Sequence, residues 1–158
     1  MFNKIEKSFY LIMLSISIFS ILFALYIEHV LSIQPCKLCL YQRIPYVFSI
    51  IICFFGIFFP NNKVFIYLLI IIFMGSIIIS GYHVGIENNI FSEFSGCTNQ
   101  SINTMDKSKL LRNLSNFLPN CKDVNFKIFG LSLAAINFLL SIALTAIIVR
   151  YFIYEKNR

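Results

Sequence analysis

The chain has 158 residues, of which 58% are apolar, 16% aromatic and only 13% charged, with a formal net charge of +6. Those proportions lie outside the range of soluble globular domains and leave room for about one domain, so lipid is the solvent expected for most of the chain. The thirteen basic residues are scattered beside apolar runs and form no stripe, which argues against a nucleic-acid surface.

From the N-terminus, Lys4 and Lys7 precede the first long apolar run, Phe9 to Ile27. A cleaved leader has a similar outline, but this run ends Ala24-Leu25-Tyr26-Ile27-Glu28 without a small-x-small pattern, so it reads as a membrane span. Further runs free of Asp, Glu, Lys and Arg follow at Ile44 to Phe59, Val64 to Tyr82 and Ile128 to Val149. At about 1.5 Å of helix per residue against a hydrocarbon core of about 30 Å, each is a candidate span. Ile44 to Phe59 is the shortest and borrows flanking residues or crosses untilted. The expected fold is an all-α, integral membrane four-helix bundle forming one domain over residues 1–158.

The Pro60-Asn61-Asn62-Lys63 turn makes an antiparallel hairpin of spans two and three. The other connections are residues 28–43 and the longer, polar 83–127. Within the latter, KSKLLRNLSNFLP sets Leu110, Leu111, Leu114, Phe117 and Leu118 at helical spacing opposite Lys107, Lys109 and Arg112. This is a short helix, either lying among lipid headgroups or packed on the bundle top, and Pro119 stops it. Four spans put both termini on one side. Lys4, Lys7, Lys63, Arg150, Lys156 and Arg158 occupy short segments on that side, which the positive-inside rule assigns to the cytoplasm.

Both remaining loops then face outward, carrying Cys36, Cys39, Cys97 and Cys121, while Cys53 lies mid-span and reads as packing. An even set of cysteines outside the cytoplasm points to disulfides, and four cysteines allow three pairings between which the sequence does not choose. Two inert staples are one reading. The Cys36-x-x-Cys39 spacing opposes it, because so short a ring restricts the unfolded chain least, and such pairs are more often redox-active. A zinc site is the other alternative, but it normally draws on a second close-spaced pair, whereas Cys97 and Cys121 are 24 positions apart. No metal is expected.

Exchange needs a thiolate, favoured by a helix N-terminus or a nearby cation. Cys39 precedes span two, and Arg43 follows four residues later, with Pro45 complicating the local helix start. Arg43 has an ordinary role as a headgroup anchor and a specific one beside an anionic sulfur or a reduced quinone oxygen. A redox pair belongs at a membrane edge if its electron partner is itself lipid-soluble, and a quinone takes the two electrons that a dithiol releases.

The segments PCKLCLYQR, GYHVGIE ahead of Cys97-Thr98, and Cys121-Lys122-Asp123-Val124 running into FGLSLAAINFLLS resemble the disulfide bond formation protein B family of bacterial inner membranes, over the whole chain. The resemblance implies a thiol:quinone oxidoreductase that reoxidises a periplasmic thioredoxin-like partner of the DsbA type. Its acceptor would be quinone, ubiquinone ahead of menaquinone. By position, Cys97 and Cys121 would be the loop pair, with Cys97 forming the mixed disulfide with the partner. Cys121 would exchange with Cys36, Cys39 would be the thiolate facing the quinone, and Arg43 and His83 would lie at the quinone site. Glu87 is left to headgroup-level solvation and Asn137 to an interhelical hydrogen bond. The lean loop between Cys97 and Cys121 and the position of Pro45 depart from the family pattern.

Two other functions compete. A vitamin K epoxide reductase type enzyme also combines helical spans, a Cys-x-x-Cys and a loop pair, but in that family their order is the other way. A structural tetraspan protein would use its disulfides only as braces. A transporter is disfavoured because the spans carry no intramembrane charge.

Overall fold

A computed structural model describes residues 2–60, 62–92, 121–122, 127–128 and 130–157. Four long helices dominate: α1 (Phe2–His29), α2 (Lys37–Phe58), α3 (Val64–Glu87) and α4 (Leu133–Lys156). The shortest, α2, has 22 residues and so extends about 33 Å, enough to cross a bilayer core. All four are long and apolar enough to be spans. Residues 107–118, where the sequence places a loop helix, lie outside the described residues.

The helices reach beyond the charge-free runs that announce them. Helix α2 begins at Lys37 rather than near residue 44, and runs through Pro45 without a break. Helix α3 continues past Tyr82 to Glu87. Helix α4 starts at Leu133 instead of near residue 128, because the chain first makes a small antiparallel ribbon, β1 (Lys127–Ile128) and β2 (Leu131–Ser132). Gly130 turns that ribbon at a φ of +83°, a conformation open to glycine and strained for other residues. Ser132 then caps α4, its Oγ accepting the Ala135 N–H.

Consecutive helices pack on one another, α1 with α2, α2 with α3 and α3 with α4. The main core lies towards the end holding the termini, where Tyr10, Met13, Cys53, Leu69, Phe73 and Ile148 are buried together. There Phe9 of α1 stacks on Tyr151 of α4 with ring centres 3.9 Å apart. At the same end Lys63, beside the α2–α3 turn, pairs with Glu155 of α4 at 3.6 Å. Phe19, Leu22, Ile71 and Ile78 are largely exposed while serines are buried, the reverse of a soluble bundle and the arrangement lipid selects. Ser17 meets Ser49 at 2.9 Å across α1 and α2, and Ser76 meets Ser141 at 2.8 Å across α3 and α4. Small polar side chains of this kind let helices approach closely and bond across the gap.

Gly56 on α2 leaves room for a side chain of α1: a Cβ built there would stand 2.7 Å from the buried Tyr10 ring. Gly75, on α3, has nothing within 4 Å of a Cβ. Gly56→Val is therefore expected to destabilise the bundle by about 1–3 kcal/mol through overpacking. Gly75→Ala should be neutral or stabilising. Reversible unfolding of the two variants in detergent, followed by circular dichroism, checks the contrast.

Candidate redox site

The site forms at the opposite end of the bundle, where the starts of α2 and α4 meet the end of α3. Cys36 is the N-cap of α2, with φ −71° and ψ 169°, and its sulfur accepts the Cys39 backbone N–H at 3.3 Å. A helix that opens Cys-x-x-Cys thus presents its first sulfur to its own unsatisfied N–H groups, at the positive end of the dipole. The two sulfurs stand 2.9 Å apart, both as free thiols.

From α3, His83 places Nε2 3.6 Å from Cys36 Sγ and 3.3 Å from the carbonyl oxygen of Cys121. Cys36 already accepts a backbone N–H and faces this imidazole, so the proton between the sulfurs belongs on Cys39 and the anion on Cys36. The Cys39 thiol bonded to it holds Cys36 well below the ordinary thiol range, and His83 adds to this against the opposing pull of burial. The sequence suggests Cys39 as the sulfur nearest a helix start; because α2 begins at Lys37, the cap position and the lowered pKa fall to Cys36.

Cys121 is disulfide-bonded and packs with Cys36, Leu38 and Ile86 in one buried cluster. The loop segment that bears it is therefore seated against the Cys-x-x-Cys. Cys97 lies outside the described residues. Cys53 is fully buried in the main core, as a packing residue should be.

Arg43 projects towards α1 and forms an ion pair with Glu28. It shares with Cys36, Cys39 and His83 the lining of a cleft of about 390 Å³. The remaining wall is mostly apolar, with Phe19, Phe23 and Ile27 from α1 and Leu133, Ala134 and Leu140 from α4. The cleft thus runs between the two helices that meet through Phe9 and Tyr151 at the other end, and it is of the size that accepts a small organic ligand.

Glu87 is not solvated at headgroup level. Its side chain is 11% exposed, lies 3.8 Å from His83 Nε2 and accepts a hydrogen bond from Ser132 Oγ, tying α3 to the start of α4. Asn137 makes interhelical hydrogen bonds, accepting from Tyr46 Oη at 2.6 Å and donating to Gln42 Oε1 at 3.0 Å. Gln42 in turn bonds His83 Nδ1 at 2.9 Å. Sequence reasoning missed Gln42 and Tyr46. The signal was present in the buried stripe Leu38, Gln42, Tyr46, Ser49 and Cys53, where polar side chains recur at helical spacing inside an oily segment.

Among the described residues, Cys36, Cys39 and His83 also form the group able to present metal ligands, their donor atoms lying within 4.8 Å of one another. Sulfurs bound to tetrahedral zinc sit about 3.8 Å apart, given bonds of about 2.3 Å, so this pair would have to open to take the ion. The arrangement suits two sulfurs that share a proton or join in a disulfide.

Comparison with known proteins agrees with this chemistry. A family model described as Disulfide bond formation protein DsbB matches residues 6–150. An uncharacterized protein of Rickettsia prowazekii (strain Madrid E) is 28% identical, over 98% of this chain and 95% of its own length. The family is one of disulfide oxidoreductases, and its match to a chain with four apolar helices makes this a multi-pass membrane protein of disulfide-bond formation. The chain belongs to the disulfide bond formation protein DsbB family.

Proposed function

We propose that the protein is a thiol:quinone oxidoreductase of a bacterial inner membrane, with its termini in the cytoplasm and its sulfur site at the periplasmic face. The observation that carries this reading is the placement of the Cys36/Cys39 pair on the wall of a cleft whose faces on α1 and α4 are mostly apolar. A soluble electron carrier would need a polar, water-facing mouth. Here a ring could meet the sulfurs while an isoprenoid tail stays in lipid.

The electron sequence runs through three dithiol/disulfide couples. The thiolate of a reduced thioredoxin-like partner of the DsbA type attacks the Cys97–Cys121 disulfide at Cys97 and releases Cys121 as a thiolate; the partner's second cysteine then displaces Cys97, so the partner leaves oxidised and its two electrons remain on Cys97 and Cys121. Cys121 then exchanges with Cys36, so that the loop disulfide reforms and Cys36 and Cys39 become the dithiol. Closing the Cys36–Cys39 bond sends two electrons to quinone, which also takes up two protons. The Cys39 thiol supplies one proton, and the other enters from outside the thiolate-thiol pair. Arg43 is the donor that would bind a reduced ring oxygen, His83 borders the same site through its contact with Cys36, and ubiquinone is the favoured acceptor.

Three outcomes are expected. With a reduced thioredoxin-like protein as donor and a water-soluble quinone as acceptor, Cys36→Ser and Cys39→Ser should bring quinone reduction to background, read by quinone absorbance. Sustained reduction in either variant would sink the assignment. Ala24→Phe adds a ring to the α1 wall and should raise KM for quinone about tenfold, equivalent to about 1.4 kcal/mol, without slowing exchange with the partner. The lowered Cys36 pKa also has a sign: its thiolate is lost only as pH falls through a value below the ordinary thiol range. Alkylation at Cys36, located by peptide mapping of the reduced protein, should therefore hardly slow between pH 8 and pH 6, where an ordinary thiol slows by about two orders of magnitude. Cys39→Ala should restore the ordinary dependence.

A further inference from the structure

Electron transfer as described leaves three polar side chains of the site without a task. Gln42, Asn137 and Tyr46 form one continuous hydrogen-bonded chain through α2 and α4 that ends on the imidazole of His83. Gln42 and Tyr46 are 6% and 4% exposed, so these bonds are largely withdrawn from water. We propose that Gln42, backed by Asn137 and Tyr46, is a positioning residue that fixes His83 as the neutral tautomer with its proton on Nε2, aimed at Cys36 and at the Cys121 carbonyl.

Both ends of the chain give the same polarity. At the far side of the ring, the Cys121 carbonyl oxygen 3.3 Å from Nε2 can only accept, and the Cys36 sulfur and the Glu87 carboxylate there are acceptors as well. Nε2 must therefore carry hydrogen. At the near side, the Tyr46 hydroxyl donates to Asn137 Oδ1, the Asn137 amide donates to Gln42 Oε1, and this leaves the Gln42 amide N–H to donate to Nδ1. A proton on Nδ1 would confront the Gln42 N–H until the amide turned over, and Asn137 would have to turn with it.

The fixed proton has a use. One N–H on Nε2 serves the Cys36 thiolate and the backbone of Cys121 together, holding the loop cysteine's segment beside the sulfur with which it exchanges. If His83 took the other tautomer, Nε2 would present a lone pair to a thiolate and a carbonyl oxygen, and both contacts would become repulsive. The inference rests on the reading of Cys36 and Cys121 as exchange partners, but its central readout needs neither quinone nor partner protein.

The test is 15N NMR of the imidazoles in full-length reduced protein in detergent, with His29→Gln used to assign the two histidines. The expected result in the unaltered site, at an alkaline pH above the titration of the ring, is a protonated Nε2 and an unprotonated Nδ1 on His83. Asn137→Asp does not touch His83, yet its carboxylate can only accept, so Gln42 must turn its amide N–H away and offer Oε1 to the ring. A protonated Nδ1 is then expected. Gln42→Glu should do the same directly, and Gln42→Leu should give a mixture of tautomers and slow Cys121-to-Cys36 exchange about tenfold. Thermal unfolding of each variant checks the fold. A residue that merely braces the helices would lower stability while leaving the imidazole signature unchanged. That result in Asn137→Asp and Gln42→Glu, or a protonated Nδ1 before any substitution, overturns the proposal. Absence of quinone reduction by the unaltered protein, with the tautomer signature as expected, counts against the redox assignment instead.

Discussion

An anionic sulfur at the edge of a bilayer is tolerable only where donors replace the water it has lost, and this requirement organises the whole sulfur end of the bundle. Cys36 is 6% exposed. It finds a backbone N–H from the first turn of α2, the Cys39 thiol and the His83 ring. Two of these come from the Cys-x-x-Cys itself, because capping a helix with the first cysteine brings the fourth residue's N–H and side chain back to it. The third requires α3 to extend a full turn beyond its charge-free run. His83 and Glu87 lie on that extra turn, which is why the helix end carries chemistry as well as a loop.

The two ends of the bundle solve different problems. Where the termini lie, α1 and α4 are drawn together by the Phe9–Tyr151 stack and by a core of large side chains. Where the sulfurs lie, the facing side chains of the same two helices line a cleft. Ala24 on α1 and Ala134 on α4 are among the side chains lining it, where Phe and Tyr fill the space at the other end. Tight packing at one end supplies the rigidity that lets the other remain concave.

Much of this was legible in the residues. Charge-free runs gave four spans because a bilayer allows little else, and the cysteine spacing pointed to a redox pair because a ring of two intervening residues braces so little. The helix starts were less legible, since hydropathy reports where the chain turns oily and not where it begins to coil. Lys37 and Arg43 hid the first turn of α2, and with it the fact that Cys36 is the cap. Glu87 was misread for a related reason: a carboxylate near a span end is ordinarily solvated, and only the fold reveals Ser132 and His83 beside it. Arg43 was placed near the pair by its spacing, but its partner on α1, Glu28, lies 15 positions away and no local pattern announces it.

The distribution of polar contacts among the helices also bears on which wall of the cleft is firm. The chain from Tyr46 through Asn137 and Gln42 to His83 ties α2, α3 and α4 together at the sulfur end, and Ser132 with Glu87 adds a second tie between α3 and α4. Helix α1 is linked to α2 through Ser17–Ser49 and Glu28–Arg43, while the side chains it turns to the cleft are mostly apolar. Single hydrogen bonds between membrane helices are worth only about 0.6 kcal/mol each, so firmness comes from their being joined in series through shared side chains. Three helices therefore hold the sulfurs, the imidazole and the loop cysteine in register, and the fourth supplies an apolar face. That division suits a site in which one reactant is fixed to the protein and the other is dissolved in the surrounding lipid.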